Sequence, residues 1–246
     1  MQLVKHLKGH SGATVSLYKD NDLYKVVKDN YSKAKQSVAI LEELPFNTPK
    51  VYQVTSNKIV MEYINGMDMA TYLTRADNKD VDKLIEFLSS YINWCLDKSV
   101  NVDFYEPLSR KIFSLTDYIN LKPLLSEKWS DIPQSPIHGD FTLENIMYSN
   151  GHFYFIDANP TNLDSIWFDA NKLRQDIDSL WFVRNITPSL ELKLNCNKIS
   201  KELKKRFTFM QKDYIMVLML SRILPYTKDE KTEKFLRKEI EKVWQY

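Results

Sequence analysis

Apolar and polar residues alternate through Thr14–Tyr18 (TVSLY), and Leu23–Val27 (LYKVV) is a short run rich in β-branched and aromatic residues. Both patterns predict strands. Asn21-Asp22 lies between them, where a hairpin turn belongs. Val51–Thr55 and Lys58–Tyr63 (KIVMEY) predict two further strands. Between the pairs, Val38, Leu41 and Leu44 recur every third residue over Lys33–Leu44, and Pro45 and Pro49 follow. That is a helical stripe with its stop signal. The predicted order is β-β-α-β-β.

From Met67 onward the period changes to that of helices. Val81–Leu96 places Leu84, Ile85, Leu88, Tyr91, Ile92 and Cys95 on one face. Ser165–Val183, Ser189–Phe207, Gln211–Pro225 and Asp229–Trp244 are further predicted helices, and Ile146–Ile156 is the one β-like interruption. The shift in composition at Asn65-Gly66 divides the chain into a β-rich part, residues 1–65, and a helical part, residues 66–246.

The 246 residues are 43% hydrophobic and 27% charged, which excludes disordered and fibrous classes. Lys+Arg 34 against Asp+Glu 32 gives +2, too weak a field to favour a nucleic-acid partner. Two cysteines, Cys95 and Cys196, make no disulfide framework and no zinc motif. Met1–His10 has no apolar signal region, and Tyr214–Leu220, the longest apolar run, is far short of a membrane span. No membrane partner is expected, and the expected location is cytoplasmic. Residues 1–63 carry nine Lys against six Asp+Glu, a mild excess suited to phosphate.

Chemistry concentrates in Pro136–Pro160, PIHGDFTLENIMYSNGHFYFIDANP. Asn150-Gly151 is a type I′ hairpin signal, since both central residues need positive φ. A hairpin folded there sets Asn145 opposite Ile156, with Asp157 beside it at the open end. One neutral and one charged oxygen donor converge, a pair suited to Mg²⁺. Asp140 lies five residues before Asn145, on the loop feeding the same end, placed to take a proton from a hydroxyl held near the metal.

His138-Gly139-Asp140, then Asn145, then Ile156-Asp157 resembles the catalytic core of the aminoglycoside phosphotransferase and choline kinase families. The resemblance implies an α+β, two-lobed protein-kinase-like fold. A small antiparallel β lobe with one helix (1–65) binds nucleotide, and a larger, mostly helical lobe (66–246) carries the catalytic loop and metal hairpin. It implies that Asp140 is the catalytic base, that Asn145 and Asp157 hold Mg²⁺, and that His138 and Gly139 shape the loop. Ala158-Asn159-Pro160 departs from the family after Asp157; Asn159 is read as a turn residue in preference to a further metal-side ligand. Asp169, in Trp167-Phe168-Asp169, resembles the family acid that supports the catalytic loop, and it is also read as a helix N-cap.

On the nucleotide side, Gly9-His10-Ser11-Gly12-Ala13 precedes the first predicted strand and resembles the family's phosphate loop. Ser11, Gly12 and Ala13 are then the phosphate-facing residues. Lys25 and Lys28 are both candidates for the phosphate lysine; Val26-Val27-Lys28 resembles the family spacing and selects Lys28. The helix that normally supplies a glutamate to that lysine has no acid before Glu42; Gln36 stands in the expected stretch, Ala34 to Gln36, and Glu42 or Glu43, late in the helix, is the alternative. Lys58–Asn65 resembles the hinge strand, with Glu62, Tyr63 and Ile64 supplying backbone bonds to adenine.

The implied activity is ATP- and Mg²⁺-dependent phosphoryl transfer to a hydroxyl of a small molecule: a sugar, an amino alcohol or an aminoglycoside. A pseudokinase or nucleotide-binding regulatory protein is the alternative from another class, and an atypical protein kinase a further one. Asp164, Asp176 and Asp178 follow the metal segment; they are read first as solvated helix acids, and second as groups that bind an amine or sugar hydroxyls of the acceptor.

Overall fold

The computed structural model describes residues 1–7 and 13–244. The chain divides into two compact units, each discontinuous in sequence. The first comprises Met1–Met69, His138–Asp140 and Glu144–Pro160; the second comprises Ala70–Ile137, Phe141–Leu143 and Thr161–Tyr246.

In the first unit, β1 (Gln2–Leu7) pairs with β2 (Thr14–Asp20), and β2 pairs with β3 (Leu23–Asp29). Asn21, at φ 56°, makes the turn between β2 and β3 in the left-handed region that asparagine tolerates. Helix α1 (Ala34–Glu43) follows, buries Ala34, Ser37, Val38 and Leu41, and leads to β4 (Val51–Val54) and β5 (Ile59–Glu62). The five strands form an antiparallel sheet in the order β1-β2-β3-β5-β4. Strand β1 is not among the predicted strands. Its residues are exposed almost throughout, so no buried alternation marks it. Tyr31, Ala34, Val38, Ile59 and Met61 form a core between α1 and the sheet.

A second, three-stranded sheet of this unit holds β6 (Met67–Asp68), β9 (Ile146–Ser149) and β10 (His152–Phe155), in the order β10-β9-β6. Asn150 (φ 50°) and Gly151 (φ 83°) both adopt positive φ, as the predicted type I′ turn requires. The Ile156 amide donates to the Asn145 carbonyl at 3.0 Å, one pair beyond Phe155↔Ile146. Asn145 therefore faces Ile156, with Asp157 next in the chain.

The second unit holds α2 (Met69–Arg75, from Ala70), α3 (Asn78–Asp97), the paired short strands β7 (Val100–Asn101) and β8 (Pro133–Gln134), α4 (Tyr105–Phe113), α5 (Ile166–Ile177), α6 (Leu190–Arg206), α7 (Asp213–Ser221) and α8 (Glu230–Val243). Asp77, Ser165, Ser189 and Asp229 cap α3, α5, α6 and α8 with side-chain oxygens. Two predicted helices are shorter than expected. The chain after α5 turns through Leu180 at φ 57° into a 3₁₀ turn, and Pro225 lies in another 3₁₀ turn past α7. Residues 215–221 of α7 are buried all round, packed with Phe104, Leu108, Trp129, Phe168 and Leu236. Among the described residues, no helix is long and apolar enough to cross a membrane.

Candidate active site

The loop 138–145 holds its shape through bonds to the segment after β10. His138 donates from Nε2 to the Ile156 carbonyl at 2.9 Å, and the Asn159 amide donates to the His138 carbonyl at 3.0 Å. Gly139 sits at φ 80°, and a Cβ there would meet the Asn159 carbonyl oxygen at 1.8 Å. Only glycine fits both conditions. Asn159 thus acts through its backbone, as a turn residue should. Asn145 ends a short 3₁₀ turn, Leu143–Asn145, and donates from Nδ2 to both the carbonyl and the Oδ2 of Asp140, at 2.9 Å each. The amide nitrogen is spent on orienting Asp140, which leaves Asn145 Oδ1 as a lone-pair donor.

Lys28 is only 4% exposed. Its Nζ pairs with Asp157 Oδ1 at 2.5 Å, although 129 positions separate them in sequence. It also lies 3.7 Å from the centroid of the Tyr31 ring. Lys25 instead pairs with Asp20 at 2.5 Å and approaches Tyr52. Asp157 takes φ 58°, the left-handed region, and its side chain is half-exposed. The phenol of Tyr31 is pushed above its usual range, chiefly by burial; the Ser37 hydroxyl opposes this, and the carboxylates of Asp157 and Asp140 add to it. Lys28 thus lies between the Tyr31 ring and the Asp157 carboxylate.

Helix α1 reaches this segment by two side chains. Ser37 Oγ donates to the Ala158 carbonyl at 2.5 Å, and Lys33 Nζ donates to the Pro160 carbonyl at 2.9 Å. Neither residue stands out by motif. The signal for Ser37 was available: it is a polar residue on the buried stripe of α1. Gln36 is a correction. It is exposed, because it stands two residues from Ala34, about 200° around the helix from the buried face, and it makes no bond to Lys28.

The hinge assignment narrows. The Glu62 amide donates to the Lys50 carbonyl at 2.8 Å, and the Tyr63 amide to the Tyr24 carbonyl at 3.2 Å, so both are spent within the sheet. Of the three, Ile64 keeps an amide that donates to no described residue. Ala13 packs against the core of the first unit. Ser11 and Gly12 lie outside the described residues.

Among the described residues, no three His, Cys, Asp or Glu side chains converge as a metal site. The oxygen donors of Asn145 and Asp157 match Mg²⁺, which takes one or two protein oxygens and completes its shell with phosphate and water.

In the second unit, Asp176 is fully buried and accepts the amide of Leu143, within the loop, at 2.6 Å. Asp169 is equally buried; it accepts the Tyr91 hydroxyl at 3.0 Å and pairs with Lys172 at 3.3 Å. Ser165, not Asp169, caps α5. Asp178 binds Arg174, Lys204 and Ser200. Asp176 and Asp178 are therefore internal braces and not solvated acids: Asp176 lies within α5, where nearly every residue is buried, and Asp178, at its C-cap, is held by two cations and a hydroxyl. Burial lifts the Asp164 carboxyl above its usual range.

Solved structures share this architecture. The chain superposes on aminoglycoside phosphotransferase APH(4)-Ia (thermostable mutant, apo form) with a TM-score of 0.65 at 8% identity, covering 99% of this chain and 94% of that one. The fold is that of the aminoglycoside phosphotransferases. The streptomycin–ATP complex of APH(2'')-IIa superposes with a TM-score of 0.60 at 15% identity, over 98% of this chain and 91% of that one. A protein of Haemophilus somnus 129PT assigned as a fructosamine-3-kinase gives 0.54 at 13% identity, over 99% and 92%. No family model matches the chain, and no curated protein matches it in sequence.

Proposed function

We propose that the protein is an ATP- and Mg²⁺-dependent phosphotransferase that transfers the γ-phosphoryl group to a hydroxyl of a small molecule. One observation carries this reading: the Lys28–Asp157 pair, assembled in the same compact unit as the Asp140–Asn145 pair. A buried ammonium and a half-exposed carboxylate, brought together over such a sequence distance, suit a site that handles phosphate charge better than a structural ion pair.

In this reading Lys28 binds the α- and β-phosphates, and Ser11, Gly12 and Ala13 line the phosphate loop. Ile64, with Glu62 and Tyr63 beside it, meets the adenine edge. Asn145 Oδ1 and Asp157 hold Mg²⁺, which when bound neutralises charge on the phosphate oxygens. Asp140 accepts the proton of the attacking hydroxyl. Asn145 Nδ2, bonded to Asp140 Oδ2, fixes the carboxylate that does so. Positioning and charge account for most of the rate, since a loose phosphoryl transition state needs little covalent help. Among the similar structures are complexes with streptomycin, gentamicin and hygromycin B. Polyhydroxylated amines and sugars therefore head the acceptor panel.

Acceptor-dependent ATP consumption is the test. Asp140→Asn should lower turnover by about 10²–10⁴-fold while the dissociation constant for ATP stays within a few fold. Near-normal turnover in that variant rejects Asp140 as the base. A nucleotide-binding protein without turnover is the second reading, favoured by the absence of an α1 acid on Lys28 among the described residues. It predicts tight MgATP binding with no consumption on any acceptor.

A further inference from the structure

Lys28 meets an unusual neighbour. An acid on α1 is the expected partner, yet the buried residues of α1 are Ala34, Ser37, Val38 and Leu41, none of them charged. What lies against Nζ is the ring of Tyr31, 3.7 Å from centroid to nitrogen. That ring is 6% exposed and belongs to the core formed with Ala34, Val38, Ile59 and Met61. The backbone also fixes it: the Tyr31 amide donates to the Asn57 carbonyl at 2.9 Å, and its carbonyl accepts the Ala34 amide at 3.1 Å, at the start of α1.

We propose that Tyr31 is the positioning residue for Lys28, doing with an aromatic face what the missing helix acid would do with a charge. Lysine has a flexible four-carbon stem and is costly to hold in one rotamer. A ring locked in the core removes that freedom and attracts the ammonium through its quadrupole. Unlike a carboxylate, it does so without neutralising the ammonium. Among the described residues the only carboxylate on Lys28 is Asp157, a residue also assigned to the metal. When Asp157 turns to other duty, the ring keeps Lys28 in place with its full charge available to phosphate. The Ser37 hydroxyl beside the phenol, bonded to the Ala158 carbonyl, ties this brace to the segment that follows Asp157.

The inference rests on Lys28 binding phosphate, so the experiment separates the two claims. MgATP is titrated calorimetrically into the wild type, Tyr31→Phe, Tyr31→Leu, Lys28→Ala and the Tyr31→Leu/Lys28→Ala double variant, with Val38→Ala as a core control and thermal melts on all. Tyr31→Phe keeps the ring and should bind MgATP within about twofold of wild type, whereas Tyr31→Leu should bind about tenfold more weakly. In the Lys28→Ala background the Tyr31→Leu effect should vanish, as coupling through Lys28 requires. Val38→Ala should lower the melting temperature without moving the affinity. If Lys28→Ala weakens binding and Tyr31→Leu does not, the positioning role is overturned while the phosphate role stands. An equal loss from Tyr31→Leu in both backgrounds makes Tyr31 merely structural and overturns it too. Unchanged affinity in Lys28→Ala removes the phosphate role and the brace together. Should Tyr31→Leu not fold, NMR decides: the Lys28 ε-methylene protons should be shifted upfield by the ring in wild type and in Tyr31→Phe, and their absence from that position overturns the proposal.

Discussion

Gly139 sits where two demands meet, a φ of 80° and a carbonyl oxygen 1.8 Å from any Cβ. Gly139→Ala should therefore displace the Asn159 backbone, the acceptor geometry at His138 and the loop carrying Asp140. The expected cost is about 1–3 kcal/mol of stability, checked by urea denaturation, with loss of turnover. Asp157→Ala should weaken MgATP binding and also leave the buried Lys28 ammonium without its carboxylate, lowering stability by about 1–3 kcal/mol. Unchanged nucleotide affinity in that variant would misplace the metal site. Gln36→Glu, by contrast, should change stability by no more than about 0.5 kcal/mol, because the side chain is exposed. Sequence spacing set Asn145 opposite Ile156, next to Asp157, because a two-residue turn at Asn150-Gly151 leaves one register for the hairpin. It misplaced Gln36 because counting along a helix gives a position and not a face: the inward position is that of Ser37, one residue on. Tyr31 carried no motif. Its role comes from a ring face turned toward a lysine three residues earlier, a relation that propensity and periodicity do not encode.

Among the elements, α5 was legible as a helix, but its burial was not. Asp176 read as a solvated acid, yet it is buried, and so are Asp169, Asn171, Lys172, Arg174 and Gln175. The charges pair internally or with neighbouring elements, as Arg174 does with Asp178 and Asp213. Such pairing depends on residues far away in sequence, so a hydrophobicity pattern cannot reveal it. The capped helices were better marked, since Ser165, Ser189 and Asp229 stand just before apolar stripes. Asp178 gives a pH test at this scale. Burial alone would raise its carboxyl, but Arg174, Lys204 and Ser200 outweigh burial and hold it below the usual range. A carboxylate with a depressed folded-state pKa adds stability above its unfolded value of about 4, and that stability is lost as pH falls through the folded value. Asp178→Asn should consequently be less stable than wild type at pH 7, and the gap between their urea midpoints should close below about pH 4. A gap that is constant with pH would mean that the variant acts through packing alone.

At the scale of the whole molecule, the order β2-β3-α1-β4-β5, the change to helices and the hairpin were readable, because each depends on local period and turn chemistry, whereas the exposed strand β1 ahead of them was not. How the chain groups into units was less so: Asn65-Gly66 marks the change in composition, but the hairpin and residues 138–140 pack with the N-terminal segment. The inserted stretch Ala70–Ile137 stands between the two halves of one compact unit. On the ribosome this order has a cost in time. Lys28 is translated 129 residues ahead of its counter-ion, a lag on the order of ten seconds at ordinary synthesis rates. Through that lag the nascent sheet must either keep the lysine hydrated or bury it uncompensated, so the N-terminal unit completes only after residue 160 has cleared the exit tunnel. Arrested chains stalled short of that point should be digested in the β3 segment by added protease, and chains stalled well beyond it should resist.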